Sequence, residues 1–308
     1  MRVLTETENK YKYNVWDKAE MPEEYMAQAK MKIERDNAQE KKEYEISYEP
    51  WDVFYKRYSR TFFKERQWIS KEHPELLVHS NKVLEIGCGT GSTLIPLIKA
   101  RLDRMNDYLQ NSSSANNNEV KNGDGDESAE IIDISDSDLL KCNNVYGMDY
   151  SQTAVGLLQS CIPRLASHFA PGDVTKVGEY FTFGGKVLDS VDIILLIYTL
   201  SAVHPSAYPS VFRLMHRTLG AGGIVIFKDY YEMDLTQLRF KESQVLDKNL
   251  YVRGDDTYVY YFSRCEIEKQ IEGLFRIVKY KEDRKLVINR KTQKEMYRCF
   301  IEIKLEKL

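Results

Sequence analysis

Residues 83–93 read Val83-Leu84-Glu85-Ile86-Gly87-Cys88-Gly89-Thr90-Gly91-Ser92-Thr93. A short apolar run ends there in three alternating glycines, and the leucine and isoleucine spacing over residues 94–98 predicts an amphipathic helix after them. This pattern is typical of a buried strand, a tight turn and a helix N-terminus, where bare backbone can lie against a ligand. Other parts of the chain have to show which ligand, if any, the turn serves.

The spacing of the glycines distinguishes two ligand classes. A dinucleotide fingerprint requires Gly-x-Gly-x-x-Gly, but Ser92 stands at its third glycine position and the glycine comes one residue early, at Gly91. With Glu85 two residues before Gly87, the stretch resembles motif I of methyltransferases that use S-adenosylmethionine (SAM). That resemblance implies that Glu85, Gly87 and Gly89 belong to a cofactor site. A structural turn without a ligand is the alternative.

Composition indicates a globular chain: of 308 residues, 43% are hydrophobic and 30% are charged. No apolar run approaches the roughly 20 residues that span a bilayer, and the first residues lack a signal-peptide core, so we expect no membrane segment. The five cysteines and five histidines show neither a disulfide framework nor metal-ligand spacing. We expect an intracellular monomer without a metal ion, in the cytoplasm and with the nucleus as a second compartment.

The net charge of −3 is unevenly distributed. Residues 111–138 contain eight acidic residues and one lysine, and the rest of the chain is mildly basic, which is compatible with a polyanionic partner. The low apolar content predicts a disordered acidic insertion over residues 110–138. Within it, residues 131–138 resemble a SUMO-interacting motif, although we favour local packing of these residues onto the domain.

A candidate ribose-binding acid follows the insertion. Residues 144–149 predict a strand that ends in Asp149. In dinucleotide and SAM folds this acid lies roughly 20 residues beyond the glycines. Asp149 comes 62 positions after Gly87, and removing residues 101–142 restores a separation of 20. The spacing therefore predicts that Asp149 lies beside the glycines, and that the insertion occupies an outer helix–strand connection.

Further predicted strands also end in acidic residues. Asp173 follows a short strand, the near-continuous apolar run at 191–197 indicates a central strand, and Asp229 ends the strand predicted over 224–229. Strands that alternate with helices predict an α/β fold with a doubly wound parallel sheet, whose ligand crevice lies at the carboxyl ends of the strands.

Two terminal antiparallel strands, within 275–281 and 297–305, complete the expected architecture. It is the seven-stranded, mostly parallel Rossmann-like sheet of class I SAM-dependent methyltransferases, with helices on both faces. We predict that this domain covers residues 76–308 and that a helical extension over residues 1–75 contributes to substrate binding and covers the cofactor.

Residues 51–68 interleave aromatic and basic side chains. Guanidinium groups can hold phosphates while aromatic faces stack on unpaired bases, so this mixture suits a single-stranded or looped RNA. A docking helix with its aromatic side chains in the core is an equally open interpretation. The candidate RNA contacts are Arg57, Arg60, Lys64 and Arg66, together with Arg239 and Arg253.

Several motifs together resemble one family. They are Trp51-Asp52-x-Phe54-Tyr55-Lys56-Arg57, Phe62-Phe63-Lys64-x-Arg66-x-Trp68, Leu200-Ser201-Ala202-Val203-His204-Pro205, Leu238-Arg239-Phe240-Lys241 and Tyr251-Val252-Arg253, besides the glycine stretch. Over about residues 48–305 the chain is similar to the methyltransferase-like 2/6/8 family of eukaryotic tRNA N3-methylcytidine methyltransferases, which has fungal members. The resemblance implies methylation by SAM of N3 of cytidine 32 in the anticodon loop of serine or threonine tRNA. Members that act on serine tRNAs work with seryl-tRNA synthetase.

The resemblance also implies a set of cofactor contacts. They are Trp51, Tyr55, Gly87, Asp149, Asp173, Val174 and Ile197. Lys228 and Asp256 depart from the family pattern, which more often has arginine and glycine at these positions. Neither departure removes a cofactor contact, and both could alter the grip on RNA.

The chemistry of the reaction suggests the catalytic candidates. Cytosine N3 carries a lone pair and no proton, so its attack on a methyl group needs no general base, and the methylated base is cationic. Asp229, Tyr230 and Tyr198 could stabilise that charge or hold the exocyclic amine. His204 is a fourth candidate, for which a structural hydrogen bond is the favoured alternative.

Two other functions stay open from the sequence. A small-molecule or protein methyltransferase would keep the SAM residues without affinity for tRNA, and the basic and aromatic residues at 51–68 argue against it. A non-catalytic RNA-binding module would have lost cofactor groups, whereas Gly87, Asp149 and Asp173 are all present.

Overall fold

A computed structural model describes residues 2–5, 9–110 and 131–308. Its α-helices are α1 (Glu23–Asn37), α2 (Glu49–Tyr58), α3 (Trp68–Glu72), α4 (Leu94–Gln110), α5 (Asp136–Cys142), α6 (Gln152–Cys161), α7 (Tyr208–Thr218), α8 (Leu235–Leu238) and α9 (Arg264–Ile271). Within these described residues, no helix combines the length and the apolar character that a membrane span requires.

The strands fall into one main sheet and two small ones. They are β1 (Val15–Asp17), β2 (Val83–Ile86), β3 (Val145–Asp149), β4 (Phe169–Pro171), β5 (Phe181–Phe183), β6 (Lys186–Leu188), β7 (Val191–Ile197), β8 (Leu219–Tyr230), β9 (Val245–Asp247), β10 (Leu250–Val252), β11 (Tyr258–Tyr260), β12 (Phe275–Asn289) and β13 (Lys294–Lys307). The order in the main sheet is β1-β12-β13-β8-β7-β2-β3-β4.

The main sheet confirms the predicted fold class. Strands β2, β3 and β4 pair in parallel, whereas β13 pairs antiparallel with both β8 and β12. Strand β1 pairs antiparallel with β12 and adds an eighth strand to the seven that were predicted. Three residues are too few to show the period-2 alternation by which a strand is recognised in a sequence.

Contacts between residues divide the chain into two compact units. One unit consists of residues 48–195 and 217–223, and the other of residues 1–47, 196–216 and 224–308. The domain boundary predicted near residue 75 stays a prediction. The first unit contains the glycine stretch with strands β2 to β4, and the second contains the N-terminal segment and the C-terminal strands.

The N-terminal segment is built into the core of its own unit. Trp16 of β1 is 1% exposed and packs with Leu286 and Ile288. At the end of α1, the buried Asp36 accepts a hydrogen bond from the Tyr251 hydroxyl at 3.3 Å. Helix α1 ends one residue later, at Asn37. The segment is therefore anchored by both apolar and polar contacts.

The predicted disordered insertion needs a partial correction. Residues 111–130 lie outside the described residues, whereas residues 131–138 are ordered. Ile132 donates its backbone N–H to a carbonyl oxygen at the end of α6 at 2.8 Å, Ile134 is 1% exposed in a core cluster, and Ser135 caps α5. The disorder prediction is wrong here because an average over the acidic insertion hides three branched apolar residues.

We expect Ile134→Ala to lower the free energy of unfolding by about 2–5 kcal/mol, because it removes apolar contacts in a packed core. The matched variant Ile131→Ala, at a position 65% exposed, should change it by less than about 0.5 kcal/mol. Urea denaturation followed by circular dichroism measures both. Equal and small effects would contradict the packing of this segment onto the domain.

Candidate functional site

The glycine stretch forms a tight loop at the carboxyl end of β2. The backbone N–H groups of Gly87 and Cys88 both donate to the carbonyl oxygen of Met148, at 2.7 and 3.0 Å. Gly89 has φ +52°, and a Cβ at this position would lie 2.5 Å from the Tyr55 hydroxyl. The backbone conformation and the close hydroxyl both require glycine here.

The carboxylate of Asp149 lies beside this loop, at the end of β3. Its Oδ2 accepts the N–H of Gly89 at 2.7 Å, and its Oδ1 accepts the N–H of Ser151 at 2.9 Å. Burial raises the pKa of Asp149 to about 6, although both N–H groups act to lower it. Each carboxylate oxygen has a second lone pair with which it can accept a ligand hydroxyl. The structure therefore brings the predicted ribose-binding acid onto the glycine loop.

Helix α2 covers the loop with Tyr55 and carries Trp51 one turn earlier. The carboxylate of Asp52 holds the helix in place, because it accepts the Ser151 hydroxyl at 2.6 Å and the Thr153 N–H at 2.9 Å. The indole N–H of Trp51 is buried and lacks a hydrogen-bond partner in the part of the chain that the structure describes. A buried donor of this kind is suited to a polar atom of a ligand.

Two predicted site residues, Glu85 and Arg66, support the glycine stretch from inside the protein. Glu85 is fully buried in β2, and burial raises its pKa to about 8 even though the Arg66 guanidinium lies 3.8 Å from its Oε1. Arg66 also donates to the Thr93 hydroxyl at 2.8 Å and, from its backbone N–H, to the Ser92 carbonyl at 2.7 Å. The geometry does not support the predicted RNA contact of Arg66, because its guanidinium is turned inward toward the loop.

The other predicted cofactor residues lie at the ends of two strands. Asp173 follows β4, and its Oδ1 accepts both the N–H and the hydroxyl of Thr175, at 2.9 and 2.6 Å. Val174 is its neighbour in the same turn. Ile197 is the last residue of β7 and is 1% exposed. Their contacts with a cofactor stay predictions.

The end of α2 and the residues that follow it carry exposed basic and aromatic side chains. Of the six predicted RNA contacts, the exposed ones are Arg57, Lys64 and Arg239. Arg60 is half-buried, with its guanidinium 2.6 Å from the Cys161 sulfur. The Phe62 ring is 54% exposed although it packs edge-on against Phe54. We call Arg57, Phe62 and Lys64 the α2 surface.

The catalytic candidates meet where β7 and β8 end. Asp229 is fully buried, and its carboxylate accepts the Ser201 N–H at 2.9 Å and the Tyr230 N–H at 2.8 Å. Burial raises its pKa to about 6. Tyr198 has φ +55° and donates its N–H to the Lys228 carbonyl at 2.7 Å. A left-handed tyrosine is strained, and such strain is concentrated at functional sites.

Three half-buried rings form a cluster around this point. The Tyr198 ring centroid lies 5.5 Å from that of Tyr230 and 5.7 Å from that of Phe300, and those of Tyr230 and Phe300 are 6.0 Å apart. The Arg253 guanidinium lies 5.7 Å from the Tyr230 ring and donates to the Tyr258 carbonyl. Phe300 was not among the predicted site residues, because only the pairing of β13 with β8 places it opposite Tyr230.

His204 is fully engaged in hydrogen bonds. Its Nδ1 accepts the Ser206 N–H at 3.3 Å and caps a 3-10 turn, while its Nε2 lies 2.7 Å from the Tyr44 hydroxyl. Burial, with the charge of Lys41 nearby, lowers its pKa. This geometry favours the structural alternative over catalysis.

Comparison with known proteins first defines the class. A family model described as a methyltransferase domain matches residues 55–274, which include the glycine loop, Asp149 and the catalytic candidates. Together with the sheet order, this match makes the chain a class I SAM-dependent methyltransferase, and SAM is its cofactor. A glycine loop at the carboxyl end of β2, a buried carboxylate and a buried indole N–H fit that cofactor.

Comparison with curated proteins then defines the family. The chain is 33% identical over 99% of its length to the tRNA N(3)-methylcytidine methyltransferase trm140 of Schizosaccharomyces pombe and covers 91% of it. It is equally 33% identical, over 99% of its length, to the tRNA N(3)-cytidine methyltransferase METTL2 of Gallus gallus, covering 94%. It is 32% identical to the tRNA(Thr) (cytosine(32)-N(3))-methyltransferase of Saccharomyces cerevisiae, of which it spans 44%. The chain belongs to the family of tRNA N3-methylcytidine methyltransferases, as predicted.

The raised pKa of Asp149 leads to a pH dependence of SAM binding. An ordinary aspartate loses its proton near pH 3.9, whereas Asp149 does so near pH 6, so the acceptor form disappears as the pH falls through 6. We expect the SAM dissociation constant to rise about fourfold between pH 7.5 and 5.5. Isothermal titration calorimetry measures it.

The control variants separate Asp149 from Asp229, a second buried aspartate whose pKa is raised to about 6. Asp149→Asn should bind SAM weakly at every pH in this range, with the pH dependence lost. Asp229→Asn should keep the pH dependence of the unchanged protein. A pH dependence that survives in Asp149→Asn would rule out Asp149 as its source.

Proposed function

We propose that the protein transfers the methyl group of SAM to N3 of cytidine 32 in the anticodon loop of tRNA. The main support is the extent of the similarity, which covers 98–99% of the chain and so includes the N-terminal segment and the C-terminal strands outside the matched methyltransferase domain. The relative from Saccharomyces cerevisiae is named for cytosine 32 of threonine tRNA, which makes that tRNA the first substrate to test.

The proposed reaction requires little acid–base chemistry from this chain. Bound SAM supplies a methyl group that is activated by its positive sulfonium. Cytosine N3 has a free lone pair, so the protein has only to hold the base in line and accommodate the positive charge that methylation creates. The ring faces of Tyr198, Tyr230 and Phe300 can attract a flat cation. Asp229, ionised above about pH 6, adds a buried negative charge at the backbone of Tyr230.

Asp229 is best described as a positioning residue. Both of its oxygens accept backbone N–H groups, one from the turn after β7 and one from its own neighbour Tyr230. These two bonds fix the turn that follows Tyr198 to the backbone of Tyr230 at the end of β8. The carboxylate thus serves the ring cluster through its geometry as well as its charge.

The α2 surface provides a complementary RNA-binding chemistry. Arg57 and Lys64 offer two exposed positive charges for phosphates, and the Phe62 ring between them in sequence is open for stacking on an unpaired base. The aromatic residues of this segment differ in exposure: Phe54 and Tyr55 are buried, and Phe62 is exposed. Residues 51–68 therefore combine buried aromatic residues, as a docking helix requires, with an exposed one that RNA binding could use.

We expect the double charge reversal Arg57→Glu and Lys64→Glu to weaken tRNA binding. Because two phosphate contacts are lost, the plot of log affinity against log salt concentration should become less steep by about 1.4. Fluorescence anisotropy with labelled tRNA over a salt series measures the slope. Lys186→Glu, an exposed reversal in the β5–β6 hairpin, is the matched control and should leave the slope unchanged. An unchanged slope in the double variant would remove the α2 surface from the RNA interface.

We further propose that the protein acts as a monomer in the cytoplasm and that it methylates serine tRNA only with seryl-tRNA synthetase. All five cysteines are free, which fits a reducing compartment. The dependence on a synthetase follows from the resemblance alone and is the part of the proposal that an assay can decide most directly.

The assay uses labelled SAM with threonine, serine and arginine tRNAs, each with and without the synthetase. We expect label in cytidine 32 of threonine tRNA without the synthetase, and in serine tRNA only when it is present. Matched tRNAs with uridine at position 32 should take up none, because uridine N3 carries a proton. If SAM binds and no tRNA is labelled, the tRNA proposal falls and a small-molecule or protein substrate replaces it.

A further inference from the structure

A cleft of about 480 Å³ lies between α1, α8 and β13, and no predicted site residue lines it. One wall is formed by the rings of Tyr25 and Tyr297, whose centroids are 5.0 Å apart and tilted by 52°. Leu235 and Leu238 of α8 add an aliphatic floor. All four side chains are half-buried. The cleft therefore offers a flat ligand an aromatic and aliphatic surface, within the size range of small-molecule sites.

Polar groups stand along the edge of this wall. The Gln28 side chain lines the cleft and is exposed; its amide nitrogen donates to Glu24 at 3.2 Å. Glu295 lines the opposite side and accepts the Tyr11 hydroxyl at 3.4 Å. An amide carbonyl and a carboxylate can accept hydrogen bonds from the exocyclic amines and ring N–H groups of a nucleobase.

Positive charges surround the opening. Lys10 forms an ion pair with Glu295, and Lys32, which is part of the lining, forms one with the buried Asp36. Arg239 is exposed and lies close to Tyr25. Burial raises the pKa of Tyr25, and the positive charge of Arg239 acts to lower it. Because Lys10 and Lys32 are each held by a carboxylate, Arg239 is the cation that can meet the phosphate of a base bound at the aromatic wall.

We propose that this cleft binds an unpaired nucleotide of the RNA substrate other than the methylated cytidine, with the base against Tyr25 and Tyr297 and the phosphate at Arg239. The proposal rests on the proposed function and deepens it, since a second bound nucleotide would select among tRNAs that share a cytidine at the target position. A free mononucleotide has the same chemistry and is treated as a separate arm of the test.

The experiment fills the cleft and compares it with a matched change outside it. Gln28→Trp places a large ring in the opening, while Met31→Trp places the same ring at a position of α1 that is 70% exposed and not part of the lining. Anticodon stem-loops carry 2-aminopurine at one unpaired position each. Tyr297→Leu provides a second variant, which removes a stacking ring without filling the space.

At one position other than 32, binding to the unchanged protein and to Met31→Trp should quench the 2-aminopurine fluorescence. In Gln28→Trp and Tyr297→Leu that quenching should be lost, and the RNA dissociation constant should rise about tenfold, the loss expected for one stacked base. The SAM dissociation constant should stay the same in all four proteins, which shows that the variants are folded.

Each other outcome has a defined meaning. If the unchanged protein methylates tRNA and both cleft variants bind and quench as it does, the cleft proposal is overturned and the proposed function stands. If the unchanged protein neither binds nor methylates tRNA, the proposed function fails and the cleft proposal with it. If 2-aminopurine riboside monophosphate binds as tightly as the stem-loop, the cleft serves a free nucleotide, and its assignment to RNA is overturned.

Discussion

The hydrogen bond between the Gly89 N–H and the Asp149 carboxylate is the contact on which the cofactor region depends. It joins the loop after β2 to the end of β3, at 2.7 Å and across 60 residues of sequence. The Tyr55 hydroxyl packs so close to Gly89 that no side chain fits there. Backbone conformation, helix packing and the placement of an acid thus meet at one residue, and the first two of these require glycine there.

Buried ionisable groups recur at the ends of the central strands. Burial raises the pKa of Asp149, Asp229 and Glu85, and each lies where a loop or turn needs an acceptor or a brace. A buried carboxylate is costly unless backbone N–H groups satisfy it, and both aspartates accept two such groups. The fold therefore tolerates charge at Asp149 and Asp229 because the loops around these two aspartates supply donors.

The N-terminal segment and the acidic insertion show how local composition can mislead. Trp16 and Ile134 are each 1% exposed, although both lie in stretches without apolar periodicity. Each anchors a short segment to a core built by distant residues. Arg66 shows the reverse case: a basic residue within a basic and aromatic stretch turns inward to the glycine loop. Its neighbours in sequence carry no sign of that contact.

The sequence by itself determined the fold class, the family and the pairing of the glycines with Asp149, because strand periodicity, glycine spacing and the acid at a strand end are local patterns with local physical causes. Only the tertiary structure decided that Phe300 joins Tyr198 and Tyr230, that Arg66 braces a loop, and that α1, α8 and β13 enclose a cleft. These features depend on strand register and helix packing between residues far apart in the chain, for which no single stretch of sequence carries a signal.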